Sequence, residues 1–541
     1  MAIYLGFDLS TQSLTAIAIE VAGSRREVVF ERALHYDADF PAYGTTHGVL
    51  PREDPLVATS SPLMWAEALD RMMGILGRES GLDLSQIRAV SGSGQQHGSV
   101  YLNAHARTVL AALDPAQPLV AQLASVYTRK ASPIWMDSST ARQCEQITRA
   151  LGGAEAVSRL TGSVAFERFT GPQIRKFHEY DPAGYKRTAT IHLVSSYAAS
   201  LLAGRHAPID PGDGAGMTLM DLARKQWAPA ALDATAPELA HRLPPLAESW
   251  SVVGPLAGYW RRRYGFPAAN VIAWSGDNPC SLVGVGLAGE GEVAISLGTS
   301  DTLFGTMRDA RTDPSLAASV FGAPTGDWMA LLCFKNGSLA RERVARDHGL
   351  DWAGFSRALR GTRPGNRGAL MLPWFEAEIT PNVLQPGVRR YGLDPADAAA
   401  NVRAVVEAQM MALATHSQWM GVEVREIRAT GGAAANAEIL QVMADVHGAP
   451  VRRLKVGNSA CLGAALRAYH ADELAEGRRV PWKEIAAGFV EPEEPPTRPA
   501  AGHAELYAEL MKVYAACERH ALGKGPEPGP LIAGFRARFG T

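Results

Sequence analysis

The sequence predicts an α/β protein built from two related lobes, and three observations carry that prediction. Short apolar strands alternate with amphipathic helical stretches along the chain, the pattern of layered α/β folds. A strand running into a hydroxyl-rich turn occurs twice, as Phe7-Asp-Leu-Ser-Thr-Gln-Ser13 and as Ile295-Ser-Leu-Gly-Thr-Ser-Asp301. One copy opens each half of a 541-residue chain, a length that calls for more than one domain at about 150 residues each.

The first strand is Ile3 to Leu5, leading into the turn Gly6–Ser13, and Leu14 to Val21 returns from it as a hairpin partner. Residues 51–62 read as loop. Trp65, Leu69, Met72, Met73 and Leu76 recur at helical spacing. Ile87 to Val90 is a strand that enters Ser91-Gly-Ser-Gly-Gln-Gln-His-Gly98, with Ser99 to Leu102 leaving it. Ser138 or Ser139 is expected to cap a helix from Thr140 to Leu151. The pattern restarts with the strand Asn270 to Trp274, which ends in Ser275-Gly-Asp-Asn-Pro279, and with Glu292 to Leu297. Later come a long helix from Ala399 to Trp419, a strand from Glu426 to Ala429 and a helix from Ala437 to Val446 that Asn436 caps. Helices from Cys461 to Ala468 and from His503 to Ala521 follow, the second after a Pro- and Glu-rich connector, and the tail beyond Gly523 is expected to be loosely held.

Composition narrows the function classes. Apolar residues make up 47% of the chain and charged residues 20%, both near globular averages. Lys and Arg (53) balance Asp and Glu (55) to a net charge of −2, which excludes an overall basic bias toward nucleic acid or anionic lipid. The five cysteines, Cys144, Cys280, Cys333, Cys461 and Cys517, are scattered without zinc-ligand spacing. They predict free thiols in a reducing, cytoplasmic setting. The start of the chain has no basic region before its apolar run and does not read as a secretory signal. Residues 189–204 are too few and too polar for a membrane span.

Several residues are suited to chemistry. Ser10, Thr11 and Gln12 form one phosphate-binding candidate, and Gly298, Thr299 and Ser300 the other, because short side chains and glycine let backbone N–H groups approach phosphate oxygens. Asp8 sits in an apolar strand, where its charge is costly unless it holds a cation such as Mg²⁺ or caps the turn. Asp277 follows a strand and can accept a hydroxyl proton during phosphoryl transfer, or make an Asx-turn before Pro279. Gln95, Gln96, His97 and Gly98 offer the fixed donors and acceptors that a polyol needs. Gly431 and Gly432 let a flat ligand approach the backbone before a helix, or simply make the turn.

Nine motifs stand in order between residue 6 and about residue 470: Gly6-Phe-Asp-Leu-Ser-Thr-Gln12, Ser93-Gly-Gln-Gln-His-Gly-Ser-Val100, Trp135-Met-Asp-Ser-Ser139, Phe166-Glu-Arg-Phe-Thr-Gly171, Ser275-Gly-Asp-Asn-Pro279, Ile295-Ser-Leu-Gly-Thr-Ser-Asp301, Leu331-Leu-Cys-Phe-Lys-Asn-Gly-Ser338, Thr430-Gly-Gly432 with Asn436, and Asn458-Ser-Ala-Cys461. Together they resemble the FGGY carbohydrate kinases of the actin, sugar kinase and Hsp70 superfamily, in particular the eukaryotic-type branch that acts on D-xylulose. The resemblance implies two ribonuclease-H-like α/β lobes around a central cleft. It implies an amino-terminal sugar-binding lobe over residues 1–268 and a nucleotide-binding lobe over 269–490. A connector, helix and tail over 491–541 would close the chain. It implies ATP and Mg²⁺, with Asp277 as the general base and Asp8 as the metal-holding aspartate of the first phosphate loop. His97, Arg168, Asp277 and Asn278, with Gln96 beside them, would contact sugar. Gly298 and Thr299 would hold phosphate, and Trp352, Gly431, Gly432 and Asn436 would border adenosine. The implied activity is ATP-dependent conversion of D-xylulose to D-xylulose 5-phosphate by a homodimer. The nearest rival is a kinase of ribulose or another ketose or polyol; a more distant one is a conformational ATPase of the actin or Hsp70 kind. The sequence departs from many members at Ser10, where they carry Gly, and at Ser139, where they carry Arg.

Overall fold

The computed structural model of the protein describes residues 1–455 and 457–540. Strand β1 (Ala2–Leu9) is apolar apart from Asp8 because both of its faces are covered. Ile3, Leu5, Phe7 and Leu9 join the core packed around helix α1 (Pro62–Arg78), while Tyr4 belongs to the core on the other face. Helix α1 starts with Pro62 after Ser61, whose hydroxyl accepts a bond from Met64 N at 3.4 Å.

The strands of the two main sheets follow one plan. In the first sheet β1, β2 (Ser13–Ala22) and β3 (Arg25–His35) form an antiparallel meander. Strand β4 (Ile87–Gly94) lies parallel to β1, and β6 (Asn270–Ile272) and β7 (Ser275–Gly276) lie parallel to β4. Strand β5 (Val252–Pro255) closes the edge beside β6. In the second sheet β8 (Glu292–Leu297), β9 (Asp301–Met307) and β11 (Trp328–Phe334) form the meander, with β10 (Ser319–Gly322) added at its edge. Strand β12 (Glu426–Thr430) lies parallel to β8, and β13 (Val451–Arg453) parallel to β12. Each lobe is therefore a three-strand meander followed by two parallel positions, and the repetition suggested by the two turn motifs extends to whole sheets.

Hydrogen bonding moves the lobe boundary. Division at residue 268 would assign β6 and β7 to the second lobe, but both pair with β4 of the first. Parallel pairing across such a long separation in sequence leaves no local signal. Strand β3 was not anticipated, because its exposed, charged residues at a sheet edge break the apolar alternation.

Helices α2 (Asp277–Gly284) and α7 (Ser459–Ala475) cross each other, and α7 packs on β1, β2 and β4 of the first sheet, while α3 (Ser338–Asp347), α4 (Trp352–Gly361), α5 (Ala398–His416) and α6 (Ala437–His447) pack together in the second lobe. A Cβ at Gly284 would lie 1.8 Å from Ser459 O, and one at Gly463 would lie 1.9 Å from Cys280 O. Only glycine permits so close a crossing. Arg467 of α7 is buried within the first lobe, donating to Ser249 O at 2.9 Å, Ala273 O at 2.8 Å and Gly92 O at 3.2 Å.

Three local expectations are corrected. The helix Ala141–Ala150 has Thr140 at its N-cap without a side-chain bond, and the Ser139 hydroxyl turns back to Asp137 instead. Helix α5 stops at His416, where a short 3₁₀ turn takes over before Gly421. The tail beyond Gly523 is folded: after α8 (His503–Ala521), helix α9 (Gly529–Phe539) buries Phe535, and its Arg536 bonds Gly368 O at 3.2 Å. Among the described residues no helix is long and apolar enough to cross a membrane.

Candidate active site

The carboxyl ends of β1, β4 and β7 meet where the sheet opens toward the second lobe, the usual location of a ligand site in open α/β sheets. Asp8 stands at the end of β1, opposite Ser93 of β4. Its Oδ1 is buried without a hydrogen-bond partner among the described residues. Burial, and then the neighbouring Asp277 carboxylate, push its pKa up to about 7. Asp277 opens α2 directly after β7 and accepts bonds from Asn278 N at 2.9 Å and Asn278 Nδ2 at 3.2 Å. Burial pushes it up to about 6, against the lowering effect of the backbone N–H groups.

Two part-buried carboxylates, one of which feels the charge of the other, fit a hard divalent cation. No cluster of three or more ligating side chains surrounds them among the described residues. The protein would thus supply Asp8, leaving the other positions to phosphate oxygens and water, as suits Mg²⁺.

The polar groups predicted for sugar gather around Asp277. Asn278 Nδ2 donates to Gln96 Oε1 at 2.8 Å, and Gln96 Nε2 donates to Gly212 O at 3.3 Å. His97 takes a left-handed φ of 70°, a conformation uncommon outside glycine and one that concentrates at functional sites. Its Nδ1 lies 2.9 Å from Gly216 O, so Nδ1 carries the hydrogen, and its ring stacks on Phe169 at 4.2 Å. Burial and the positive Arg168 lower the His97 pKa to about 3, which keeps the ring neutral. Arg168 is exposed to the cleft, with its guanidinium 5.1 Å from the Phe166 ring centre and 5.8 Å from that of Phe169. It lies within electrostatic reach of Cys333 on β11, so it faces the second lobe.

The two turns expected to hold phosphate differ. In the first, Ser10 N and Oγ both bond Ser13 O at 3.0 Å, so Ser10 closes the turn. Thr11 Oγ1 accepts from Trp135 Nε1 at 2.7 Å and keeps its own proton to donate, while Gln12 is exposed. In the second, Gly298 O accepts from Ser338 N at 2.9 Å, and Thr299 is exposed.

Beside the second turn a cavity of about 640 Å³ is bordered by Ser338, Trp352, Ser356, Gly432, Asn436 and Glu438. The adjacent glycines do separate things. A Cβ at Gly431, where φ is 85°, would lie 2.5 Å from Leu297 O, so this residue seals the backbone against β8. Gly432 has open space where its side chain would be, and lines the cavity. Asn436 caps α6, accepting from Glu438 N at 3.0 Å, and its Nδ2 donates to Ser356 Oγ at 2.8 Å.

Sequence reasoning missed Ser338, Ser356 and Arg360 on this wall. The last two share a helix face with Trp352 at four-residue steps, a periodicity that Trp352 could have indexed. Asp137 is enclosed by bonds from Ala58 N at 3.1 Å, Ser139 N at 3.0 Å and Gln173 Nε2 at 2.7 Å, so it braces its loop.

Comparison with known proteins places the chain in a family. The sequence profile of the FGGY family of carbohydrate kinases, N-terminal domain, matches residues 129–284, and that of the C-terminal domain matches residues 293–471. Xylulose kinase of Mus musculus is 44% identical over 537 residues, covering 97% of this chain and 95% of that protein. Xylulose kinase 2 of Arabidopsis thaliana is 41% identical over 495 residues, 87% of each chain. The solved structure of ligand-bound xylulose kinase from Lactobacillus acidophilus superposes with a TM-score of 0.77 at 18% identity, over 97% of this chain and 99% of its own. Plasmodium falciparum glycerol kinase with ADP gives 0.76 at 14% identity, over 97% and 99%. The structural likeness fixes the fold, and the profiles and close relatives extend it to sequence: this chain belongs to the FGGY family of carbohydrate kinases.

Proposed function

We propose that the protein transfers the γ-phosphate of ATP to the terminal hydroxyl of D-xylulose, giving D-xylulose 5-phosphate and ADP. The observation that carries this reading is the Asp277–Asn278–Gln96 hydrogen-bonded set, with Asp8, whose Oδ1 has no hydrogen-bond partner among the described residues, beside it and the cavity of the second lobe across the cleft. The identity to xylulose kinases supports the choice of sugar.

Sugar hydroxyls bind through Gln96, His97, Arg168 and Asn278, which fixes the terminal hydroxyl at Asp277. As the oxygen–phosphorus bond forms, Asp277 takes the hydroxyl proton, while the bond from the γ-phosphorus to the β-phosphate oxygen breaks and ADP leaves. Mg²⁺, held in part by Asp8, would neutralise phosphate charge when bound. The Ser10–Gln12 and Gly298–Thr299 turns donate to phosphate oxygens. Trp352, Gly432 and Asn436 receive the adenosine, with Gly431 shaping the backbone behind them. The five free thiols support a reducing, cytoplasmic location. A homodimer completes the proposal, and light scattering of the purified protein tests it.

The deciding experiment is ADP release from Mg-ATP across D-xylulose, ribulose and other ketoses and polyols, run beside Asp277→Ala. Strong stimulation by D-xylulose that the variant abolishes supports the reading. Stimulation by another sugar alone overturns the substrate, and turnover indifferent to every sugar overturns the kinase assignment.

A further inference from the structure

We infer that Lys335 is the phosphate-binding cation of the second lobe, its ammonium reaching the terminal phosphates of a nucleotide held on the Gly298–Ser300 turn; this rests on the kinase reading above. Strand register brings Lys335 there. Asp301 pairs with Phe334 as the end rung of β9 on β11, so Lys335 stands one rung further, opposite Ser300. Along β11, Leu332 and Phe334 are buried while Leu331 and Cys333 are part-exposed and Lys335 is exposed. Lys335 therefore shares the face of Cys333. That face looks toward the first lobe, since Cys333 lies within reach of the Arg168 charge.

The backbone beneath Lys335 is held firmly while its ammonium has no hydrogen bond or ion pair among the described residues. Buried Glu378 accepts from Lys335 N at 2.6 Å, Asn336 N at 3.1 Å and Asn336 Nδ2 at 2.8 Å. A Cβ at Gly337 would lie 2.6 Å from Asp301 N, so this segment presses directly on the end of the phosphate turn. Asp301 is gripped by buried Arg341 through bonds of 2.7 and 2.9 Å. Arg341 also donates to Gln409 Oε1 at 2.7 Å, and Gln409 Nε2 donates to Asn336 O at 2.7 Å and Gly337 O at 2.9 Å. One buried network thus ties the phosphate turn to the segment that carries Lys335.

A fixed base with an unengaged cation at its tip is preorganised for an anion. The chain has no Walker lysine, and the carboxylates on the facing lobe, Asp8 and Asp277, repel a triphosphate. Lys335 takes no proton and forms no covalent bond. It balances negative charge on the γ-phosphate oxygens and on the β-phosphate oxygen that departs with ADP.

The test uses full-length Lys335→Met and Lys335→Arg, with thermal melts to verify folding and calorimetric binding of ATP and adenosine. Lys335→Met is expected to bind adenosine like the parent and ATP about tenfold more weakly. With Mg-ATP its kcat should fall about 100-fold while the KM for sugar stays within about twofold. Lys335→Arg should recover part of both losses. An unchanged ratio of ATP to adenosine affinity, or an Arg variant no better than Met, overturns the inference. The binding arm needs no sugar turnover. It stays decisive if the parent phosphorylates no ketose, which would overturn the proposed function instead.

Discussion

Asp8 and Asp277 are raised to about 7 and about 6 by burial and, for Asp8, by its like-charged neighbour. A general base works deprotonated, so kcat/KM for the sugar should rise with pH through about 6 and then level off. A stopped-assay pH profile checks this, with Asp277→Ala as the baseline. The same shifts have a stability consequence of opposite sense. Because the folded values lie above the ordinary carboxylate value of 3.8, the stability these groups contribute is fully present below that value and is lost as pH rises from there through about 6 to 7. Without nucleotide, Asp8→Asn should melt at a higher temperature than the parent at pH 8, by a margin that shrinks as pH falls toward the ordinary carboxylate value of 3.8, while being inactive. An equal or lower melting point at pH 8 would remove the electrostatic account. Asp8 and Asp277 were legible in the sequence because a carboxylate at the end of an apolar strand is expensive and so conspicuous. Ser10 was legible as a turn residue, yet its hydroxyl bonds Ser13 O and closes that turn.

At the scale of elements, the cavity proposed for nucleotide depends on how α4 and α6 start. Asn436 caps α6 and bonds Ser356 of α4, so one side chain ends a helix and joins two walls. Asn436→Ala should cost about 1 kcal/mol of stability as a lost cap and raise the KM for ATP while leaving that for sugar unchanged. Matched denaturant melts and kinetics separate the two effects. The cap was readable from sequence, since Asn before an apolar-periodic run is a local signal. The Ser356 bond was not, because it joins residues 80 positions apart. The edge strand β3 and tail helix α9 were hidden for a related reason. Both owe their structure to a partner surface, the second strand in one case and the Gly365–Gly368 turn region in the other, more than to their own apolar pattern.

On the scale of the molecule, the lobes are joined through α2 and α7, whose glycine crossing and buried Arg467 fasten the second lobe to the first sheet. Arg467→Leu leaves Asp210 buried without that cation and the carbonyls of Ser249 and Ala273 without their donor. It should destabilise by about 3–5 kcal/mol, seen as a lower melting temperature, with ATP binding in the second lobe retained below the transition. A variant as stable as the parent would show that Arg467 does not join the lobes energetically. By itself the sequence determined the two-lobe α/β plan, because strand–turn–strand patterns and their repetition are local and periodic. It also singled out candidate residues for chemistry, because buried charge and glycine-rich turns are unusual wherever they occur. Only the tertiary structure decided that β6 and β7 complete the first sheet, that Asp137 braces a loop, and that Lys335 stands beside the second phosphate turn. Each of these depends on contacts between segments far apart in the chain, and such contacts form when sheets pair and pack, leaving no mark in local composition.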